Sequence, residues 1–281
     1  MSDQASAGPL PVPVEVRSSK KFFTSEKTTS ILYPIITFVL LLVVWESSVT
    51  YFNVPDYMFP RIMPVMRELY TGYVDGLMYP HLLYTLKSTL AGYVIGCTLA
   101  IIVGALLAES RTFEKFVYPF VIALQSTPKV AIAPLIMIWC GYGLASKIVM
   151  VATMCFFPLF VNTISGIRQT DPAMLNMMRA FSSPGWLTFF RVKMFAAAGH
   201  IFAGLQISIV FALIGAVVGE FVASSAGLGW LVQSAMANFN TPLMFASIFS
   251  LVALGLAGTS LVRFVHRRVV FWDRSVKAAS H

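Results

Sequence analysis

Charge is scarce in this chain. Lys and Arg number 20 and Asp and Glu 12, together 11% of 281 residues, against roughly 25% in an ordinary soluble domain. A soluble globular fold is thereby excluded. Cysteine is nearly absent as well: Cys97, Cys140 and Cys155 each sit inside an apolar segment, with no C-x-x-C spacing and no cluster of histidines beside them. This excludes a disulfide framework and gives no reason to expect a metal site. No G-x-x-x-x-G-K-[ST] phosphate loop occurs, so the chain cannot hydrolyse ATP by that route. The four histidines, His81, His200, His266 and His281, are expected singly in loops, at span ends or in the tail. With no clustered nucleophile and no acid and base pair, we expect no enzyme and no cofactor in the chain itself. Internal repetition is missing too, so the inverted repeats of many secondary transporters are not evident.

What remains is apolar. Hydrophobic residues make up 57% of the chain and the mean hydropathy is +0.77, the signature of an integral membrane protein. A span needs about 20 apolar residues to cross roughly 30 Å of hydrocarbon, and the runs between charges and turn residues predict six. They cover Ile31 to Tyr51, Tyr84 to Ala108, Phe116 to Gly141, Ser146 to Ile167, Gly199 to Val222 and Phe245 to Val265. The predicted organisation is a polar tail over 1–30, a six-helix membrane domain over 31–265, and a second tail over 266–281. The first apolar run is too long for a signal peptide and no small-residue cleavage site follows it.

The net charge of +8 reflects topology rather than nucleic acid. Basic residues gather in the tails (Lys20, Lys21, Arg267, Arg268, Arg274) and in the loops after spans two and four (Arg111, Lys115, Arg168, Arg179, Arg191, Lys193). Arg61, Arg67, Lys87 and Lys147 are the only ones on the opposite side. The positive-inside rule then predicts cytoplasmic termini.

Several features interrupt the spans. Val54 to Gly76 is too charged and proline-broken to cross, but Ile62, Met66 and Leu69 recur at helical spacing, which predicts an interfacial amphipathic helix. The segment "SSAGLGWLVQSAMANFNTP" between spans five and six predicts a partly re-entrant stretch, with Thr241 and Pro242 as N-cap and first turn of the last span. In span two Gly92, Gly96, Ala100 and Gly104 form one small-residue stripe, and in span five Gly204, Ser208, Ala212 and Ala216 form another. Such stripes allow close helix approach, either within the bundle or across a dimer.

Span three carries Pro128 and Pro134 with Lys129 between them. The prolines are expected to bend the helix and free carbonyls. Lys129 near mid-membrane costs about 2.5 to 3.5 kcal/mol on insertion scales, which leaves two readings: a partner for a freed carbonyl, or a cation lining a path. Glu46 is expected to snorkel at the outer end of span one. Glu220, near the outer end of span five, is a candidate gate or contact.

The stretch from Asp171 to Phe195, "DPAMLNMMRAFSSPGWLTFFRVKMF", is different in kind. Asp171 and Pro172 form an N-cap and first-turn pair, followed by Met174, Met177 or Met178 and Phe181 on one face. Ser182 and Ser183 break that helix. Ser183 and Pro184 start a second, in which Trp186, Phe189 and Phe190 are apolar and Arg191 and Lys193 basic. The expectation is helix, turn, helix, with adaptable thioethers and large aromatics suited to a groove.

This segment resembles the coupling loop of bacterial ATP-binding-cassette importer permeases, whose pattern is E-A-A, three residues, G, nine residues, I, any residue, L-P. Asn176, Met177 and Met178 occupy the E-A-A places and Ser182 the glycine place. Val192, Met194 and Phe195 fall at the I, L and P places. "TPKVAIAPLIMIWCGYGLASKI" and "GEFVASSAGLGWLV" are similar to stretches of the nitrate, sulfonate and taurine type of these permeases. The resemblance implies an all-α membrane protein with six transmembrane helices in an importer-permease bundle, forming a homodimer in the bacterial inner membrane. It implies two ATPase subunits, holding ATP and Mg, that dock on the loop through Asp171, Asn176, Met177, Met178, Arg179, Phe181, Ser182, Trp186 and Arg191. A solute-binding protein on the far side would deliver the cargo. With Lys129, Pro128, Pro134 and Glu220 as pore or gate candidates, the expected cargo is a small anion such as a sulfonate, nitrate or an aromatic carboxylate. The alternative is a stand-alone secondary transporter or channel.

Overall fold

The computed structural model describes residues 26–270. The predicted tails, with Lys20, Lys21, Arg274, Lys277 and His281, lie largely outside the described residues. Among the described residues the chain is helical and has no strand. The helices are α1 (Glu26–Tyr51), α2 (Ile62–Val74), α3 (Met78–Glu109), α4 (Arg111–Ser126), α5 (Lys129–Cys140), α6 (Leu144–Arg168), α7 (Pro172–Ala180), α8 (Gly185–Thr188), α9 (Met194–Ala223), α10 (Leu228–Ala237) and α11 (Thr241–Val269). A π-helical turn, Phe189–Lys193, joins α8 to α9. The helix α1 belongs to one compact unit, and everything from Phe52 onward to a second.

Five helical runs are individually long and apolar enough to cross a membrane, and a sixth arises if α4 and α5 are counted together. Those two helices meet at 101°. Span three was predicted as one bent helix, and here the structure differs. Pro128 bars the preceding residue from helical geometry, and Thr127 is extended, at φ −73° and ψ 130°. The result is a break rather than a kink. Pro134, by contrast, sits inside α5 without ending it. Lys129 therefore opens a helix instead of occupying the middle of one.

Within the second unit α6 is the central helix, packed between α3 and α9. The small-residue stripes on its two neighbours explain the arrangement, because apolar burial alone does not drive association in lipid and close backbone approach must. A Cβ placed on Gly96 would lie 2.6 Å from the Ala152 carbonyl and from Cys155 Sγ. One on Gly204 would lie 2.9 Å from Asn162 Cβ. Gly92 likewise faces Val151, and Gly104 faces Thr163 at 3.1 Å. Ser208 Oγ donates to the Cys155 carbonyl at 2.8 Å. Both stripes therefore serve packing inside one chain, against opposite sides of α6.

The helix α2 is amphipathic, and its buried face includes Leu69 of the predicted set but not Met66. Val65 and Gly72 are buried and Leu69 packs against them, whereas Met66 is exposed. This face meets α3, α10 and α11 through Met78, Leu228, Leu231 and Ala246. The last span also starts differently. Asn240, not Thr241, is the N-cap, its Oδ1 accepting from the Leu243 amide at 3.2 Å. The Thr241 hydroxyl instead donates to the Tyr57 carbonyl at 2.6 Å.

Candidate functional site

Three places combine polar chemistry with an exposed or strained backbone, and α7 is the first. Asp171 Oδ1 accepts from the Ala173 amide at 2.8 Å, and Pro172 occupies the first helical turn. The far end closes with two reversed bonds, Ser183 N–H to the Met178 carbonyl at 3.0 Å and Ser182 N–H to the Arg179 carbonyl at 2.9 Å. This is a Schellman closure, which places one residue in the left-handed region. Ser182 holds that position, at φ +49°, where glycine would be unstrained. Replacing it with valine is expected to weaken the closure further, because a β-branched side chain is a genuine outlier at positive φ. Faster amide exchange over the last turn of α7 would register the loss, and an unchanged rate would count against the strain.

No residue of α7 is buried. Met174, Met177 and Phe181 are all well exposed, Phe181 at 76%, while Met178 is half-buried. Asn176 Oδ1 accepts from Arg179 Nη1 at 3.5 Å, so those two side chains brace each other on the helix surface. A stiff nine-residue helix thus holds large apolar groups away from the bundle.

The second helix expected in this segment is not a separate element. Four residues of α8 run through the π turn directly into α9, making one continuous stretch from Gly185 to Val222. Nothing between Lys193 and Met194 terminates the helix, so the turn after α7 is attached rigidly to a membrane span. Trp186 and Phe190 are exposed along it, as is Arg191. Two ion pairs hold this end of the bundle: Lys193 Nζ to Glu109 at 2.7 Å and Arg168 to Glu114 at 2.6 Å. Exposed pairs of this kind contribute only about 0 to 1 kcal/mol each, so they set geometry more than stability. Glu109 and Glu114 were not predicted as part of the site. Their sequence signal is slight, a carboxylate at each side of the α3–α4 junction.

The second place is at the opposite end, where α10 begins. Three successive amides there are capped by side chains of α3 and α9. Gly227 N–H donates to His81 Nδ1 at 3.1 Å, Leu228 N–H to Thr85 Oγ1 at 2.8 Å, and Gly229 N–H to Glu220 Oε2 at 2.7 Å. Thr85 in turn donates to Glu220 Oε1 at 2.8 Å. His81 must carry its proton on Nε2 to accept at Nδ1, and its ring stacks on Trp230 at 5.1 Å. Thr85 and Glu220 are fully buried. A carboxylate at a helix N-terminus is favoured by the aligned peptide dipoles, and a bond to a charged group is about twice as strong as a neutral one.

Gly227 has no alternative residue at this point. Its φ is +112°, and a Cβ would fall into the Glu220 carboxyl group. Lys147, also fully buried, lays its stem against α9 near Gly219 and donates from Nζ to the Tyr142 carbonyl at 2.9 Å. Glu220 was predicted as a gate or contact; it stands here as the centre of a buried clamp joining α3, α9 and α10. Thr85 and His81 were not predicted to join it. His81 lies in the first turn of α3, at the end of a span.

The third place is the α4–α5 break. Lys129 Nζ reaches the Gln125 carbonyl at 3.5 Å and lies 4.6 Å from the centre of the Phe157 ring. Gln125 is four residues earlier, across the break, so its carbonyl is one that an unbroken helix would have satisfied with a backbone amide. Glu46 is partly exposed near the end of α1.

An exposed capped helix on a rigid arm at one end, a buried clamp at the other and a bundle of apolar spans between them suggest a membrane component driven from outside itself. Comparison with known proteins decides the class. Residues 96–271 match the family described as binding-protein-dependent transport system inner membrane component. The chain belongs to this family. It is 35% identical over 226 residues to a probable ABC transporter permease protein of Haemophilus influenzae, covering 80% of this chain and 91% of that protein. It is 34% identical over 240 residues to the riboflavin transport system permease protein of Chloroflexus aurantiacus, covering 85% of this chain and 90% of the other. It is 30% identical over 243 residues to the formylaminopyrimidine transport permease protein of Halalkalibacterium halodurans, covering 86% and 96%. The protein is therefore a multi-pass inner-membrane permease of the ABC importer class, a transporter subunit and not an enzyme. Membership in the family implies an ATPase and a solute-binding protein as partners.

Proposed function

We propose that this permease forms the translocation pathway of an ATP-driven importer as a homodimer, with both termini and α7 on the cytoplasmic side. Two ATPase subunits, carrying ATP and Mg, grip the arm from Asp171 to Phe195. The observation that supports this best is α7 itself. A helix capped at both ends that exposes Met174, Met177 and Phe181 costs solvation unless a partner covers those groups. Its attachment to α9 makes it a lever. Closure of the ATPases around ATP displaces the arm, and the displacement reaches the α10 end through one uninterrupted helix. The energetic requirement is that ATP favour one permease conformation over the other.

The remaining candidates take their places on this reading. Asn176 and Arg179 brace the gripped surface, Ser182 sets its closing turn, and Trp186 and Arg191 extend it along the arm. Pro128, Lys129 and Pro134 shape the pore side at the α4–α5 break. Glu220 governs the extracytoplasmic end by holding the start of α10. For the cargo we favour a flat nitrogen heterocycle over a sulfonate, nitrate or aromatic carboxylate. Two relatives are named for riboflavin and formylaminopyrimidine, and Lys129, the residue that suggested an anion, is engaged with Phe157 and Gln125.

Phe181→Asp tests the docking role. A charge in a desolvated contact costs several kcal/mol, so uptake in proteoliposomes with the complete transporter is expected to fall at least about tenfold, while the permease still inserts and purifies. Full uptake by that variant would remove the docking role. Uptake that survives ATP depletion and stops when the ion gradient is dissipated would instead select a secondary transporter.

A further inference from the structure

One turn of the arm departs from regular winding. An α-helix bonds each amide to the carbonyl four residues earlier, but the Met194 N–H donates to the carbonyl of Phe189, five residues back. Phe189 thus stands where an unbroken helix would place Phe190. Such π turns are rare, occur mostly as single wide turns inside α-helices, and are frequent at functional sites.

The burial pattern shows the same displacement independently. Along α9, Ala197, Ile201 and Ser208 are buried, and Gly204 packs against Leu159 and Asn162 of α6. Their spacings of four, three and four residues mark one helical face. Carried back from Ala197, that repeat reaches Lys193, then Phe190, then Trp186. Lys193 obeys it, its Nζ meeting both carboxylate oxygens of Glu109 on α3 at 2.7 and 2.9 Å. Phe190 and Trp186 do not. They are 62% and 66% exposed, while Phe189 packs against the core in their stead. The pattern slips by one residue, and it slips within Phe189–Lys193, the π turn.

We infer that this π turn sets the rotational phase of the docking arm. By absorbing one residue it turns everything before it by about 100° about the α9 axis, the angle of one residue in a helix, and so carries Phe190 and Trp186 outward instead of against the bundle. The Lys193–Glu109 pair pins the span side of the turn to α3, so the rotation falls on the arm. The inference rests on the docking reading, because it is the partner on α7 that requires one orientation.

Shortening and lengthening the turn in the complete transporter tests it. In a regular helix the loss or gain of one residue rotates the arm equally far in opposite directions, and both changes should uncouple it. Here deletion of Val192 removes the extra residue, lets the turn close as ordinary helix and leaves the arm's orientation unchanged, so uptake is expected within about twofold of the wild type. Insertion of one alanine after Val192 turns the arm about 100° further, and uptake is expected to fall at least about tenfold. Orientation is read directly on the permease alone, in a Cys140→Ser background that leaves only the buried Cys97 and Cys155. Thiol reactivity follows exposure, so Phe190→Cys is expected to react with N-ethylmaleimide at least about tenfold faster than Phe189→Cys, with Val192 present or deleted. Equal rates at the two positions, a deletion as harmful as the insertion, or an insertion that leaves uptake intact overturns the inference. If the shortened chain does not insert, the two rates with Val192 present decide it. The labelling needs no ATPase, so its outcome is separate from that of docking, which Phe181→Asp tests.

Discussion

Replacing Gly96 with valine is expected to destabilise the folded permease by roughly 3 kcal/mol, the upper range for forcing extra atoms into a packed core. The Cβ alone would lie 2.6 Å from the Ala152 carbonyl, and 2.8 Å from Ala152 Cα. Two of the three nearest atoms are backbone, so no rotamer change relieves the contact. The helices α3 and α6 must separate. Separation removes Cys97, Ala100, Val151 and Cys155 from the cluster that they share and forfeits the dispersion contacts that hold helices together in lipid. The control is Gly143→Ala, where nothing lies within 4 Å of the added Cβ, and little change is expected. Monodispersity on size exclusion after stepwise heating compares them. If Gly96→Val survives the same heating as Gly143→Ala, the α3–α6 contact does not carry the stability assigned to it.

Glu220→Leu is expected to do comparable damage for a different reason. Removing one partner of a buried charged network costs about 3 to 5 kcal/mol, chiefly because the remaining groups stay buried and unsatisfied. Here the Gly229 amide and the Thr85 hydroxyl lose their acceptor together. The effect should be local before it is global. Amide exchange over Leu228–Ala237 is expected to accelerate more than tenfold, while α7, at the other end, keeps its wild-type rate. Glu220→Gln should fall between, since its amide oxygen still accepts from one of the two donors. Thr85→Val should cost about 1 to 3 kcal/mol, the range for stranding a buried amide, because the Leu228 amide depends on that hydroxyl. Unchanged exchange in α10 of Glu220→Leu would show that the clamp does not hold the segment.

These two sites differ in how far the sequence reveals them. The stripe Gly92, Gly96, Ala100, Gly104 is legible because helical geometry alone puts residues four apart on one face. What it faces is not legible, since a lipid tail, a partner chain and α6 are all apolar. The same ambiguity explains α2. Its amphipathic character was predicted on Ile62, Met66 and Leu69; Leu69 does face the core, beside Val65 and Gly72, whereas Met66 is exposed. In a chain this hydrophobic, an apolar side chain does not distinguish protein from membrane. For Glu220 the obstacle is separation. The carboxylate and the glycines of "GLG" are close in the chain, but Thr85 is 135 residues from Glu220.

Local signals fared better where local physics is sufficient. Asp171 and Pro172 start α7 because an aspartate oxygen satisfies a free amide and proline has no amide to satisfy. A turn at Ser182 was expected, and the left-handed φ is there. Pro128 showed that span three is interrupted. Whether the interruption is a bend or a break depends on how the neighbouring helices receive each half, which no local pattern encodes.

By itself, then, the order of residues determined that this protein lives in a bilayer, how many apolar segments it has and where a capped helix leaves the membrane. Each of these follows from hydration and from hydrogen bonds between near neighbours. Only the tertiary structure decided that α6 is gripped from both sides, that α8 runs into α9 as one continuous helix, and that Glu220 is a buried clamp with Thr85 and Gly229. Those are contacts between surfaces of like polarity, or between residues far apart in the chain, and they are settled by which backbones can approach closely enough to touch.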